Sequence, residues 1–197
     1  MQVAGVLTPA TPSTVAGAFV TAYRNVVGRD PVSRASWLMP LAQSGLETAH
    51  WTKMRGWNTG FLTAAGSQDY YILGSGNQLH FANYASLLDG ATAMMSWLAK
   101  HGAVARADAN DLPGYLAALQ AGGYLGYGSS KYQAYGNGIA AIMSQYTNLQ
   151  PTFSPAPSST LSVPRAVVFG AAVVGASWLT AKWLERSGPR RRRTVYA

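Results

Sequence analysis

Apolar side chains recur at helical spacing in five stretches of the first 150 residues. "STVAGAFVTAYRNVV" (13–27) opens on Ser/Thr and repeats Val15, Phe19, Ala22 and Val26, which predicts a capped helix. A second helix is expected from about Ser36 through "SWLMPLAQSGLETAHW", with Pro40 in its first turn, where a missing N–H matters least. "SLLDGATAMMSWLAKHG" (86–102) lines up Leu87, Leu88, Ala91, Met94, Met95 and Leu98 on one face, and its methionine pair reads as core filling. "NDLPGYLAALQAGG" (110–123) has an Asn/Asp-Pro start and a glycine stop. "SKYQAYGNGIAAIMSQY" (130–146) is a fifth helix, weakened by Gly136 and Gly138. Between the second and third, residues 55–84 are rich in Gly, Asn and aromatics and lack a helical period. They predict a loop with a short hairpin, "QDYYIL" and "NQLHF" flanking a "GSG" turn.

The pattern changes at both ends. Residues 1–13 are Thr/Pro-rich, with no basic segment and no sustained apolar run, so they read as a flexible arm and not a secretory signal. Residues 148–164 are rich in Pro, Ser and Thr, a linker. Residues 165–185 contain "AVVFGAAVVGASWLTAKWL" (166–184), long and apolar enough to span a bilayer, with Trp178 and Trp183 suited to its interface. A basic tail, 186–197, follows. The expected organisation is therefore an arm, a helical domain (14–147), the linker, a single transmembrane helix and the tail.

Charge sharpens this division. The net +8 is uneven: residues 1–150 carry eight Lys/Arg against six Asp/Glu, whereas residues 151–197 carry seven against one. The body is thus no nucleic-acid surface by charge alone. The four consecutive arginines 190–193 suit a topological stop beside a membrane span, with weak, non-specific contact to DNA or anionic lipid as a further expectation. With no cysteine there are no disulfides, thiolate metal sites or cysteine nucleophile.

Few groups remain for chemistry. His50, His80 and His101 lack metal-ligand spacing, "GSGNQ" follows no phosphate-loop pattern, and no nucleophile elbow appears. No metal and no cofactor is expected. Asp30, Asp89, Asp108 and Asp111 sit where turns and helix starts use carboxylates. Glu47 and Asp69 do not. Glu47 falls near a helix C-terminus, where the helix dipole disfavours a negative charge and keeps the acid protonated to higher pH. Asp69 lies among the tyrosines of the hairpin. Two carboxyls in different environments suit glycoside cleavage, one protonating the leaving oxygen while the other stabilises the anomeric centre or activates water.

"LAQSGLET" (41–48) resembles the Ala-Gln-x-x-Leu-Glu-Ser/Thr helix end of the glucosaminidase branch of the lysozyme superfamily, glycoside hydrolase family 73 and its phage relatives. Further similarities follow in order: "WNTGF" (57–61) with an Asn-x-x-Gly cleft segment, "HFANY" (80–84) with a Phe-x-x-Tyr element, and "LQAGGYLGYGSSKY" (119–132) with a Gly-Tyr…Tyr stretch. An arginine frequent in the Phe-x-x-Tyr element is replaced by Ala82, and "LGYGSS" interrupts the last stretch.

The resemblance implies a mainly α, lysozyme-like helical domain with a small β-hairpin lobe, acting on the β-1,4 glycan backbone of peptidoglycan. Glu47 would be the general acid, Asp69 or the substrate's own acetamido group would stabilise the anomeric centre, and Tyr124 would stand near it. Trp51, Trp57, Tyr70, Tyr71 and Tyr132 would offer surfaces to the sugars, and Gln43 and Asn58 directed hydrogen bonds. The bond cleaved, muramidase or glucosaminidase type, and the choice between hydrolysis and transglycosylation stay open. Without an export signal, a membrane-anchored phage virion protein that aids wall penetration is expected, its enzyme domain on the wall-facing side. The alternative is a glycan-binding or virion structural protein that keeps the fold without turnover.

Overall fold

The computed structural model describes residues 1–73, 79–125 and 129–152, and of residues 129–131 only the backbone. The predicted "GSG" turn, the linker beyond 152, the transmembrane segment 165–185 and the basic tail lie outside them. Among the described residues no helix is long and apolar enough to cross a membrane.

The body is mainly helical. Six helices, α1 (Pro12–Val27), α2 (Ala35–Glu47), α3 (Leu87–Lys100), α4 (Ala103–Asp108), α5 (Leu112–Ala121) and α6 (Ser129–Gln145), accompany one two-stranded sheet. Most boundaries follow local chemistry. Thr11 caps α1 by accepting from the Thr14 N–H, Ser86 caps α3 through the Asp89 N–H, and Asp111 caps α5 through the Gly114 N–H. The sheet pairs β1 (Tyr70–Tyr71) antiparallel with β2 (Phe81–Ala82), in the predicted place but shorter than the predicted strands.

α2 is the central element. Every residue from Ala35 to Gly45 is buried, with α1, α4 and α6 packed around it. A helix enclosed on all sides carries apolar residues around its whole circumference, and the polar Ser36, Gln43 and Ser44 of α2 are buried among them. Pro40 is not in the first turn as predicted but inside the helix. Its missing N–H leaves the Ser36 carbonyl without the usual partner, and the surrounding packing holds the helix regardless. α6 runs antiparallel to α2. The Arg34 guanidinium, before α2, donates to the carbonyls of Tyr146 and Leu149 beyond α6, while Glu47 at the other end of α2 meets Tyr135 in α6.

Two expectations are corrected by long-range contacts. Residues 1–8 are no loose arm: the Val3 N–H bonds to the Tyr70 carbonyl, the Tyr70 N–H to that of Met1, and the Gly56 N–H to that of Val6. They add a short extended layer over the hairpin and the 54–57 loop. α4 is also new, a short helix set off from α3 because Gly102 turns the chain through φ 78°. Asp108 at its end accepts from the Tyr23 hydroxyl and from Arg29, fastening α4 to α1 and its following turn.

Candidate functional site

α2 ends at Glu47 and not at Trp51, through three successive left-handed residues, Ala49 (φ 49°), His50 (φ 53°) and Trp51 (φ 63°). None is glycine, so each left-handed residue costs roughly 1–2 kcal/mol. Their hydrogen bonds and burial offset that cost. The His50 N–H reaches back to the Gly45 carbonyl at 2.7 Å, closing the helix. The Thr48 hydroxyl donates to the Ser44 carbonyl at 2.7 Å and accepts from the Trp51 N–H at 3.1 Å. The Trp51 ring is then fully buried, its Nε1–H on the Ser44 hydroxyl at 3.0 Å. The turn stops the helix with Glu47 at its carboxyl end.

Glu47 is half-buried, and its surroundings are tyrosines rather than cations. The Tyr135 hydroxyl of α6 donates to Oε1 at 2.6 Å. Tyr124, just beyond α5, faces the same carboxyl, but its own hydroxyl proton is directed to the Gly60 carbonyl at 2.7 Å. Burial lifts the Glu47 carboxyl from its ordinary 4.5 to about 7, and the two tyrosine hydroxyls pull weakly the other way. The α2 dipole acts in the same direction as burial. The tyrosines respond in kind: burial first and then the neighbouring carboxylate push Tyr124 and Tyr135 well above the usual phenol range.

Gln43 lies one turn before Glu47, fully buried, its Oε1 accepting from the Tyr115 hydroxyl at 2.5 Å. Its Nε2 faces Tyr124 without reaching hydrogen-bond geometry and has no partner among the described residues. The cluster thus comprises Gln43, Glu47, Tyr115, Tyr124 and Tyr135, drawn from α2, α5, its C-terminal extension and α6. Of the residues singled out from sequence, it gathers three: Glu47, Tyr124 and Gln43.

Several other assignments are corrected by burial. Gln43 is sealed from solvent, so it orients neighbours rather than a sugar. Asn58 is also fully buried. Its amide donates to the carbonyls of Leu62 and Ala82 and accepts from the Leu62 N–H, pinning the 58–62 loop to the hairpin. Trp51 is core, and Tyr71 is covered by the N-terminal segment, whose Gly5 lies directly on its ring. Tyr124 is buried and tethered to Gly60, so its hydroxyl proton is already committed.

The remainder are exposed in part, and each is engaged elsewhere. Trp57 is half-buried, and its N–H is held by the Thr8 hydroxyl. Tyr70 stacks on the exposed His80 at 3.9 Å and 11°, a flat pair on the hairpin. Tyr132 bonds to the Pro113 carbonyl at 3.2 Å. Asp69 is half exposed and pairs with the amino group of Met1 at 3.2 Å. Among the described residues, no group of three or more His, Asp or Glu residues could hold a metal ion.

Tyr135 is the residue that sequence reasoning missed. The available signal was its setting, "YGNG": a Cβ on Gly138 would stand 3.0 Å from Leu46, and one on Gly136 2.6 Å from Leu116. Those glycines bring α6 close to α2 and α5, which is what lets a tyrosine reach Glu47. What fold and site define together is a mainly helical protein with one tyrosine-bound, protonatable glutamate at the end of its central helix. Compared with family models, with curated proteins and with solved structures, the chain gives no match.

Proposed function

We propose that this chain cleaves the β-1,4 glycan backbone of peptidoglycan, with Glu47 as general acid. The observation that carries the reading is a glutamate held protonated near neutral pH at the helix end that bears the "LAQSGLET" motif. A general acid is most effective when its pKa lies near the working pH. The proton passes from Glu47 to the glycosidic oxygen as the bond from that oxygen to the anomeric carbon breaks, its electron pair leaving with the oxygen. Water, or a hydroxyl of the same sugar, then bonds to the anomeric carbon and returns its proton to the Glu47 carboxylate, which completes hydrolysis or transglycosylation.

The second group is open between Asp69 and the substrate's acetamido group. The ion pair that holds Asp69 to the Met1 amino group favours the acetamido group. The same pairing favours a second reading, a glycan-binding protein of this fold without turnover. The "AVVFGAAVVGASWL" segment supports a single-pass anchor, and the arginine tail a topology with the helical domain on the wall-facing side, as a phage wall-penetration protein requires. Zymography on purified cell walls tests the chemistry. Wild type should clear the wall and Glu47→Gln should be reduced on the order of 10²–10⁴-fold. A variant that keeps more than about a tenth of wild-type lysis contradicts the assignment.

A further inference from the structure

We propose that Tyr135 is the positioning residue of this general acid: its hydroxyl, by donating to Oε1, assigns the transferable proton to Oε2. The inference rests on the reading of Glu47 given above and adds a residue that reading does not contain.

The geometry carries it. A protonated carboxyl has one carbonyl-like oxygen that accepts and one hydroxyl oxygen that donates, and the two exchange freely unless a fixed partner distinguishes them. Tyr135 supplies that partner at 2.6 Å, short for a hydroxyl donor and within the range of strong hydrogen bonds. It is itself fixed, buried on α6 at a close approach set by Gly136 and Gly138. Its proton goes to Oε1, with the Tyr124 oxygen the other acceptor beside it, whereas the proton of Tyr124 is held by the Gly60 carbonyl. Tyr124 is the other hydroxyl acting on the carboxyl, and because its own proton is held by Gly60, Oε2 is the oxygen left to carry the acid proton. Once that proton is given up, the same hydroxyl stabilises the carboxylate that remains, which is where charge develops during bond breaking.

Among the described residues no charged group acts on Glu47. From the elements around Glu47, the titratable groups that act on it are Tyr135 of α6 and Tyr124 beyond α5, with Tyr115 of α5 one contact further. The Tyr23, Arg29 and Asp108 set, where α1 meets α4, forms a cluster of its own.

The test uses the intact chain with 13C-labelled glutamate. Its only glutamates are Glu47 and Glu185, so Glu47→Gln assigns the two carboxyl signals. Tyr135→Phe removes a donor that favours the ionised form, so the Glu47 titration should move to higher pH by about one unit. The alkaline limb of wall lysis should move with it, and kcat should fall roughly tenfold with KM little changed. Should the phenylalanine variant fail to fold, 3-fluorotyrosine placed at position 135 keeps the shape and makes a stronger donor, and the titration should move to lower pH. A Glu47 titration unmoved by either change overturns the inference. A titration that moves while Glu47→Gln still lyses walls overturns instead the reading on which the inference rests, and the two failures are thereby told apart.

Discussion

Ionising Glu47 inside the fold leaves a negative charge at the negative end of α2, among tyrosine rings and with no cation beside it. The consequence reaches beyond catalysis. A carboxyl ordinarily near 4.5 and held up to about 7 binds its proton more tightly in the folded chain than in the unfolded one. Its contribution to stability is complete below about pH 4.5 and is lost as pH rises through about 7. At about 1.4 kcal/mol per unit the loss is at most about 3 kcal/mol, less for the part of the group that solvent reaches. Glu47→Gln should therefore match the wild-type melting temperature near pH 4.5 and exceed it at pH 8. Parallel thermal melts across that range check this; equal temperatures at pH 8 would mean that the carboxyl is not held protonated. The unusual placement of Glu47 was legible in the sequence because a carboxyl at the end of a helix conflicts with the helix dipole. Its partner was not, since nothing local says that residue 135 meets residue 47.

At the scale of elements, the 55–62 loop rests on α3 through a backbone contact that leaves no room for a side chain. A Cβ on Gly90 would lie 1.8 Å from the Trp57 carbonyl oxygen, which is backbone and cannot rotate away. Helix propensity alone predicts that Gly90→Ala stabilises α3 by about 1 kcal/mol. The contact predicts the opposite, a loss of roughly 1–3 kcal/mol as the loop is displaced. Chemical denaturation of the variant decides the sign, and a stabilised protein would refute the contact.

The same contrast between local and non-local information explains which elements could be read in advance. α1, α3 and α5 carry side-chain caps and apolar stripes within their own residues, so their limits are close to those expected. The early end of α2 rests on left-handed residues that are not glycine. The pairing of residues 1–8 rests on partners some 50–70 positions away. Aromatics misled for a related reason: Trp51 and Tyr71 have the composition of a sugar-binding surface, and only the three-dimensional fold puts them beneath Ser44 and Gly5.

On the scale of the whole molecule, the described core closes on itself. Phe19, Tyr23, Leu41, Met94, Met95, Leu98, Tyr115 and Ile139 are all fully buried within residues 1–152. Each such side chain contributes on the order of 1.5–3 kcal/mol through burial. The chain past α6 is also fastened, by Arg34 on the Leu149 carbonyl and by the Thr152 N–H on the Ser13 carbonyl. A chain ending at residue 152 is expected to fold cooperatively, with a melting temperature within a few degrees of the intact chain, and to retain wall lysis in solution. Loss of cooperative unfolding would mean that residues 153–197 complete the core.

The account turns on one proton delivered by one glutamate. Mass spectrometry of the fragments released from purified peptidoglycan at neutral pH, wild type against Glu47→Gln, measures that step most directly. The account predicts soluble saccharide–peptide fragments with newly formed sugar ends from the wild type, and the same ends reduced at least a hundredfold from the variant. Fragments released equally by both, or wild-type protein that binds the wall and releases none, would contradict it.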